Sequence, residues 1–172
     1  MGVIFETIAG SHLYGLNHAG SDVDLFSVYD FKRPKASHKV TNELDHVRVG
    51  VFRFLDLAYS GAHQSVEALF SPYKEWTDER WRSMLENVRI TDGAAFNKYE
   101  RTIRSFCYGD FKRRRHAVRL NWGLHQLRES GTLNPVLTEP QVRGATAAAE
   151  HYQNEELEEI LLGYVRNKGD KK

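Results

Sequence analysis

The hydrophobic pattern changes period near Gly50, which restricts the chain to folds that set a small sheet before a group of helices. Up to that point "VIFETIA" and "DVDLFSVYD" are short, apolar and β-branched, and "ELDHVRVGVF" alternates polar with apolar residues, the period of a half-buried strand. At least three strands are expected there. Between them "FKRPKASHKVTN" has Pro, Lys and Ser without periodicity and reads as a loop or a ragged hairpin connection.

After Gly50 the apolar residues recur at helical spacing. "TDERWRSMLENV" offers Thr77 as N-cap and sets Trp81, Met84, Leu85 and Val88 on one face. "GAAFNKYERTIRSF" does the same with Phe96, Tyr99, Ile103 and Phe106. "FKRRRHAVRLNWGLHQLRES" carries Ala117, Leu120, Leu124 and Leu127 and closes on Gly131. "NEELEEILLGYVRN" places Leu157, Ile160, Leu161 and Tyr164 on a stripe, and the tail "KGDKK" is expected to fray. With 172 residues the chain can bury a real core, as one domain or a compact domain with a helical extension.

Charge and cysteine content exclude several roles. Lys and Arg number 24 against 23 Asp and Glu, a net charge of +1, so no general attraction to nucleic acid follows and any anion site must be local. One cysteine, Cys107, cannot form an internal disulfide and reads as a small buried hydrophobe. "MGVIFETIAG" has neither a basic n-region nor an apolar h-region, so the chain is expected in the cytoplasm. No apolar run approaches the roughly 20 residues that span a bilayer. The 8 histidines show no metal-type spacing, and Trp76, Trp81 and Trp122 read as core or half-buried anchors.

The stretch "GSHLYGLNHAGSDVDLF" concentrates the chemistry. Alternation along a strand points Asp22 and Asp24 to one face and Val23 and Leu25 to the other. Adjacent carboxylates repel unless a cation sits between them, and hard oxygen ligands suit Mg²⁺ or Mn²⁺. In two-metal phosphoryl transfer the ions lie roughly 3.5–4 Å apart and clamp the attacking and leaving oxygens. A third carboxylate would come from Asp45, with Glu43 as the alternative. Gly10 permits close backbone approach and the Ser11 hydroxyl offers a donor to phosphate. Tyr14 either stacks on a base or packs under the turn. A helix of about 100° per residue brings Lys112, Arg115, His116 and Arg119 onto one stripe, which either clasps phosphate or forms a solvated charged face. In the first case Arg119→Ala is expected to change kinetics with little change in melting temperature.

Strand, Gly-Ser, short helix and then Ser-Asp-x-Asp entering an apolar strand is a specific combination. It resembles the DNA polymerase β-like nucleotidyltransferase superfamily. More narrowly, "GSHLYG" followed by "SDVDLFSVY" is similar to predicted bacterial and phage nucleotidyltransferases that carry Gly-Ser-x-x-Tyr-Gly before Ser-Asp-x-Asp. "FRFLDLAYSGAHQSVEALFSP" resembles that group's helix pair after the third acid, and "RRRHAVRLNWGLHQLRESGTL" its later helix, so the likeness runs from about residue 10 to Gly144.

The resemblance implies an α+β fold: a small mixed-sheet nucleotidyltransferase palm and catalytic core over residues 1–75, with a helical C-terminal region over 76–172 packing on it. It implies metal-binding catalytic acids at Asp22, Asp24 and Asp45. An NTP, with ATP the expected donor, would be held by Gly10, Ser11, Ser21 and Tyr14, with Lys112, Arg115, His116 and Arg119 able to neutralise phosphate charge. The acceptor stays open between an RNA 3′ end, a protein hydroxyl, as in antitoxins that adenylylate a toxin partner, and a small molecule. No membrane partner and no broad DNA affinity are expected. The alternative is a non-catalytic nucleotide or nucleic-acid binding module on the same fold.

Overall fold

The computed structural model describes residues 2–30, 36–40 and 44–163. It is α+β, with a mixed sheet leading into helices. Strand β1 (Val3–Ala9) runs into the short helix α1 (Gly10–Tyr14), and β2 (Val23–Tyr29), β3 (Ala36–Val40) and β4 (Leu44–Gly50) follow. A two-residue strand, β5 (Glu75–Trp76), completes the sheet in the order β3-β4-β2-β1-β5. β2 lies antiparallel to β1 and parallel to β4, whereas β3 lies antiparallel to β4. The three strands expected from the pattern are therefore present.

Of the loop or ragged hairpin connection expected over 31–42, residues 36–40 form a strand, antiparallel to β4, which sets aside the plain loop. Their pairing with β4 supplies the hydrogen bonds that local sequence does not announce. The remainder of that stretch, Glu43, Tyr164 and the tail lie outside the described residues.

One face of the sheet is apolar because alternate residues of each strand point the same way. Phe26 and Val28 of β2 and Val49 of β4 are buried there. Phe54 of helix α2 (Val51–Tyr59) packs on Phe5 and Phe26 with ring centroids 5.6 and 5.8 Å away. Fully burying each such side chain contributes about 1.5–3 kcal/mol. On the opposite face Ser27, fully buried, donates to the Glu6 carboxylate and lies 2.6 Å from Nε2 of His46. That chain of polar groups ties β1, β2 and β4 together and holds the register in which Asp24 pairs with Asp45.

Helices α3 (His63–Phe70), α4 (Glu79–Leu85), α5 (Gly93–Cys107), α6 (Phe111–Ser130), α7 (Glu139–His151) and α8 (Asn154–Leu162) follow. Their apolar faces join the sheet in one cluster that extends from Ile4 to Leu157 and includes Tyr99, Ile103, Leu120 and Leu124. Trp76, Trp81 and Trp122 are half-buried against it. A smaller cluster of Leu13, Tyr14 and Leu16 seats α1 on Val136, Leu137 and Val142. Glu158 on α8 is buried, accepting from Arg104 Nε at 2.7 Å and from the Tyr108 hydroxyl at 2.8 Å, so this carboxylate anchors α8 to α5.

Some local expectations are displaced. Asp78, not Thr77, caps α4, because Thr77 is used by the sheet edge: its N–H donates to Ile4 O at 2.9 Å and its hydroxyl to the carbonyls of Val3 and Ile4. Met84 is 55 % exposed and Ile160 equally solvated, so neither joins the buried stripe assigned to it. Helix α7, absent from the periodicity, starts with a capping box between Thr138 and Gln141 and buries only Ala145 and Ala149. Among the described residues no helix is long and apolar enough to cross a membrane.

Candidate active site

The strand register builds the acidic cluster. Asp24 pairs across β2 and β4 with Asp45, and across β1 with Ala9, the residue before Gly10. Both aspartates are half-buried, while Asp22, just ahead of β2, is exposed. Burial pushes the Asp24 carboxyl above the usual range, and the charges of Asp22 and Asp45 push it further; Lys112 and His12 oppose them. Val23 is 39 % exposed, so the apolar backing expected behind the acids consists of half-buried Leu25 alone.

The Gly10 backbone lies directly against this carboxylate. Its φ is +58°, and a Cβ there would fall 1.6 Å from Asp24 Oδ2, so both conformation and space require glycine. The next residue, Ser11, is half-buried, and its hydroxyl makes no hydrogen bond among the described residues. Ser21 has a different position: its Oγ accepts from the His18 N–H at 2.9 Å and closes the turn before Asp22. Gly10, Asp24, Asp45, Gln64 and Glu67 share a pocket of about 80 Å³. Among the described residues no three His, Cys, Asp or Glu side chains are gathered as a metal centre.

The basic stripe of α6 divides into an outer and an inner half. Lys112 is exposed and near enough to Asp24 to lower its pKa. Arg115 donates from Nη2 to Leu16 O at 3.3 Å, while its buried Nε and Nδ1 of His12 have no hydrogen-bond partner. His116 is driven down to about 3 by burial and by the charges of Arg119, Arg115 and Lys112, which leaves its ring neutral at pH 7. Arg119 is 5 % exposed and bonds Glu67, itself 2 % exposed, at 2.5 Å. Its guanidinium lies 3.5 Å from the Tyr14 ring centroid, and the Tyr14 hydroxyl donates to the other Glu67 oxygen. Arg119 and Tyr14 thus serve the interior. The small stability effect expected for Arg119→Ala gives way to a large one, since removal would strand a buried carboxylate.

A family model described as the RNA repair pathway DNA polymerase beta family matches residues 1–163. The chain belongs to this family. No curated protein gives a match. Membership in the RNA repair pathway DNA polymerase beta family carries a nucleotidyltransferase-type role, in keeping with the superfamily resemblance of the Gly-Ser and Asp-x-Asp segments. Within this family fold, Gly10, Tyr14, Asp24 and Asp45 line one pocket and Asp22 and Lys112 act on Asp24 through their charges, whereas His116 and Arg119 pack on the Tyr14 ring.

Sequence reasoning missed Glu67 and Gln64. The signal was a lone charged residue inside "SVEALF", where Ser65, Val66, Ala68 and Leu69 are all buried, so the Glu67 carboxylate has no solvent to face. Cys107 is buried, as expected, and burial pushes its thiol up to about 11, which removes it as a nucleophile.

Proposed function

We propose that the chain transfers a nucleoside monophosphate from an NTP, ATP first among them, to the 3′ hydroxyl of an RNA, with release of pyrophosphate. The observation that carries the reading is the Asp24–Asp45 pair set against a glycine whose Cβ would occupy the carboxylate's place. The family's RNA repair description supports RNA as the acceptor over a protein hydroxyl or a small molecule.

The donor set fits a hard divalent cation, Mg²⁺ or Mn²⁺. Asp24 and Asp45 line one pocket, Asp22 is near enough to raise the pKa of Asp24, and such ions complete their shells with substrate phosphate oxygens. Asp22, Asp24 and Asp45 would hold the metal. Bound there, it would neutralise triphosphate charge and lower the pKa of the acceptor hydroxyl.

The chain's own groups do the rest. The bare Gly10 backbone lets phosphate approach, the Ser11 hydroxyl donates to it, and Lys112 and Arg115 face it from α6. The 3′ oxygen bonds the α-phosphorus as the bond to the bridging oxygen breaks. Pyrophosphate takes the electron pair, and the hydroxyl proton passes through the Asp24–Asp45 pair to water. Neutral His116 and buried Arg119 position α1 and α6 around that event.

Incubating the protein with each labelled NTP, Mg²⁺ or Mn²⁺, total cellular RNA and lysate tests this. Label on RNA 3′ ends is expected. Label on protein would move the acceptor, and NTP binding indifferent to metal, without turnover, would favour a non-catalytic binding module.

A further inference from the structure

Beside the acidic pocket lies a second one, of about 240 Å³, bounded by β4, the turn between α2 and α3, and α5. The two share Phe26, Val47 and Gln64, so they form one continuous depression on the sheet face. Val49 and Leu57 extend its floor, and Lys98 and Thr102 stand on its α5 side. The turn wall is tight: at Gly61, φ +78°, a Cβ would fall 2.4 Å from the carbonyl oxygen of Ala95. Lys98 forms no ion pair among the described residues.

Direction gives this pocket its meaning. Moving from Asp45 to Val49 along β4 covers about 13 Å at strand rise and leads away from α1. The cationic groups Lys112 and Arg115, with His12, lie at the opposite end, where α1 meets α6. In-line displacement sets the attacking oxygen opposite the leaving pyrophosphate. A triphosphate drawn to the α1–α6 end therefore receives its nucleophile from the α2–α3 end.

We propose that this second pocket takes the 3′-terminal nucleotide of the RNA acceptor, with its base on the apolar floor of Phe26, Val47 and Leu57 and its phosphate on Lys98. The proposal rests on reading the Asp24–Asp45 end as the place of transfer. At about 240 Å³ the space is smaller than the roughly 300–1,000 Å³ of drug-sized sites and takes one base rather than a stacked run. A single-nucleotide footprint also agrees with a chain of net charge +1, which has no field to hold a long polynucleotide.

The test uses the full chain with Lys98→Glu, which reverses the rim charge, and Thr102→Trp, which fills the pocket from α5. The probes are a fluorescein-labelled single-stranded RNA of about eight nucleotides, the same RNA with an abasic 3′ terminus, and ATP with Mg²⁺. Each substitution, and the abasic end, is expected to raise the RNA Kd about tenfold by anisotropy. The ATP Kd by calorimetry is expected to stay unchanged. Should Thr102→Trp fail to fold, Lys98→Glu decides alone. RNA affinity untouched by the rim charge and by the missing base overturns the proposal, and so does a loss falling on ATP, which would give the pocket to the donor base. Wild-type protein that binds RNA in this pocket-dependent way without transferring label overturns the transferase reading instead and leaves the pocket assigned.

Discussion

Glu67 and Asp24 line one pocket, yet Glu67 has an arginine on one oxygen and a tyrosine hydroxyl on the other, whereas Asp24 has two further aspartates beside it. Glu67 is buried and its charge is matched inside the fold. Asp24 is half-buried, and burial with the two aspartates beside it raises the cost of its charge by more than Lys112 and His12 relieve it. A carboxylate with an internal counter-charge works for stability. One crowded by like charges retains a demand that a bound cation can meet, and the cost it imposes on the empty fold is retained for function.

The sharpest break in this comparison is in turnover. If the two carboxylates differ as described, Asp24→Asn and Asp45→Asn lose at least about a thousandfold in kcat for NMP transfer while remaining folded. Steady-state kinetics with labelled ATP and RNA measure this, and full activity in either variant would remove the pair from the chemistry.

The converse loss belongs to the inner network. Arg119→Ala strands Glu67 as an unpaired buried charge and is expected to cost about 3–5 kcal/mol in urea unfolding. For a chain of this size that lowers Tm by roughly 6–20 °C. Arg119→Lys recovers only part of this, because an ammonium cannot both pair with Glu67 and lie flat on the Tyr14 ring.

This division also marks what could be read in advance. Strands β1 and β2 were legible as short apolar runs and β4 by its alternation, all local signals, and the Gly-Ser and Asp-x-Asp segments stood out because their spacing is short. Glu67 was not, since its partner Arg119 lies 52 residues away and a glutamate in a helical stretch looks solvated. Arg119 was misassigned within a run of basic residues whose burial depends on α1 and α3 packing around it. Helix α7 was silent because its buried side chains are alanines, which leave almost no periodic signal.

A smaller effect is expected at Gly10, where the two regions meet. Gly10→Ala places a side chain in the left-handed conformation, at about 1–2 kcal/mol, and drives Asp24 from its position opposite Asp45. Both Tm and turnover should fall, with turnover the more affected. A variant that loses stability but keeps kcat would show that the Asp24 carboxylate can move without consequence.

The smallest effect tests the electrostatic premise without any turnover. In EDTA, a carboxyl whose folded pKa lies above its unfolded value stabilises the fold below the unfolded pKa, and that contribution is lost as pH rises through the folded pKa. At neutral pH the charged Asp24 is therefore a cost that Asp24→Asn removes, and the variant should melt slightly above the wild type. Lowering the pH protonates Asp24 in the wild type and removes the same cost, so the gap between the two melting curves should close on acidification. Adding Mg²⁺ at neutral pH should close it as well, by raising the wild type. Thermal melts over a pH series, with and without metal, read both effects. A gap of opposite sign at neutral pH, or one unmoved by acid and by Mg²⁺, would mean that Asp24 is satisfied within the fold as Glu67 is.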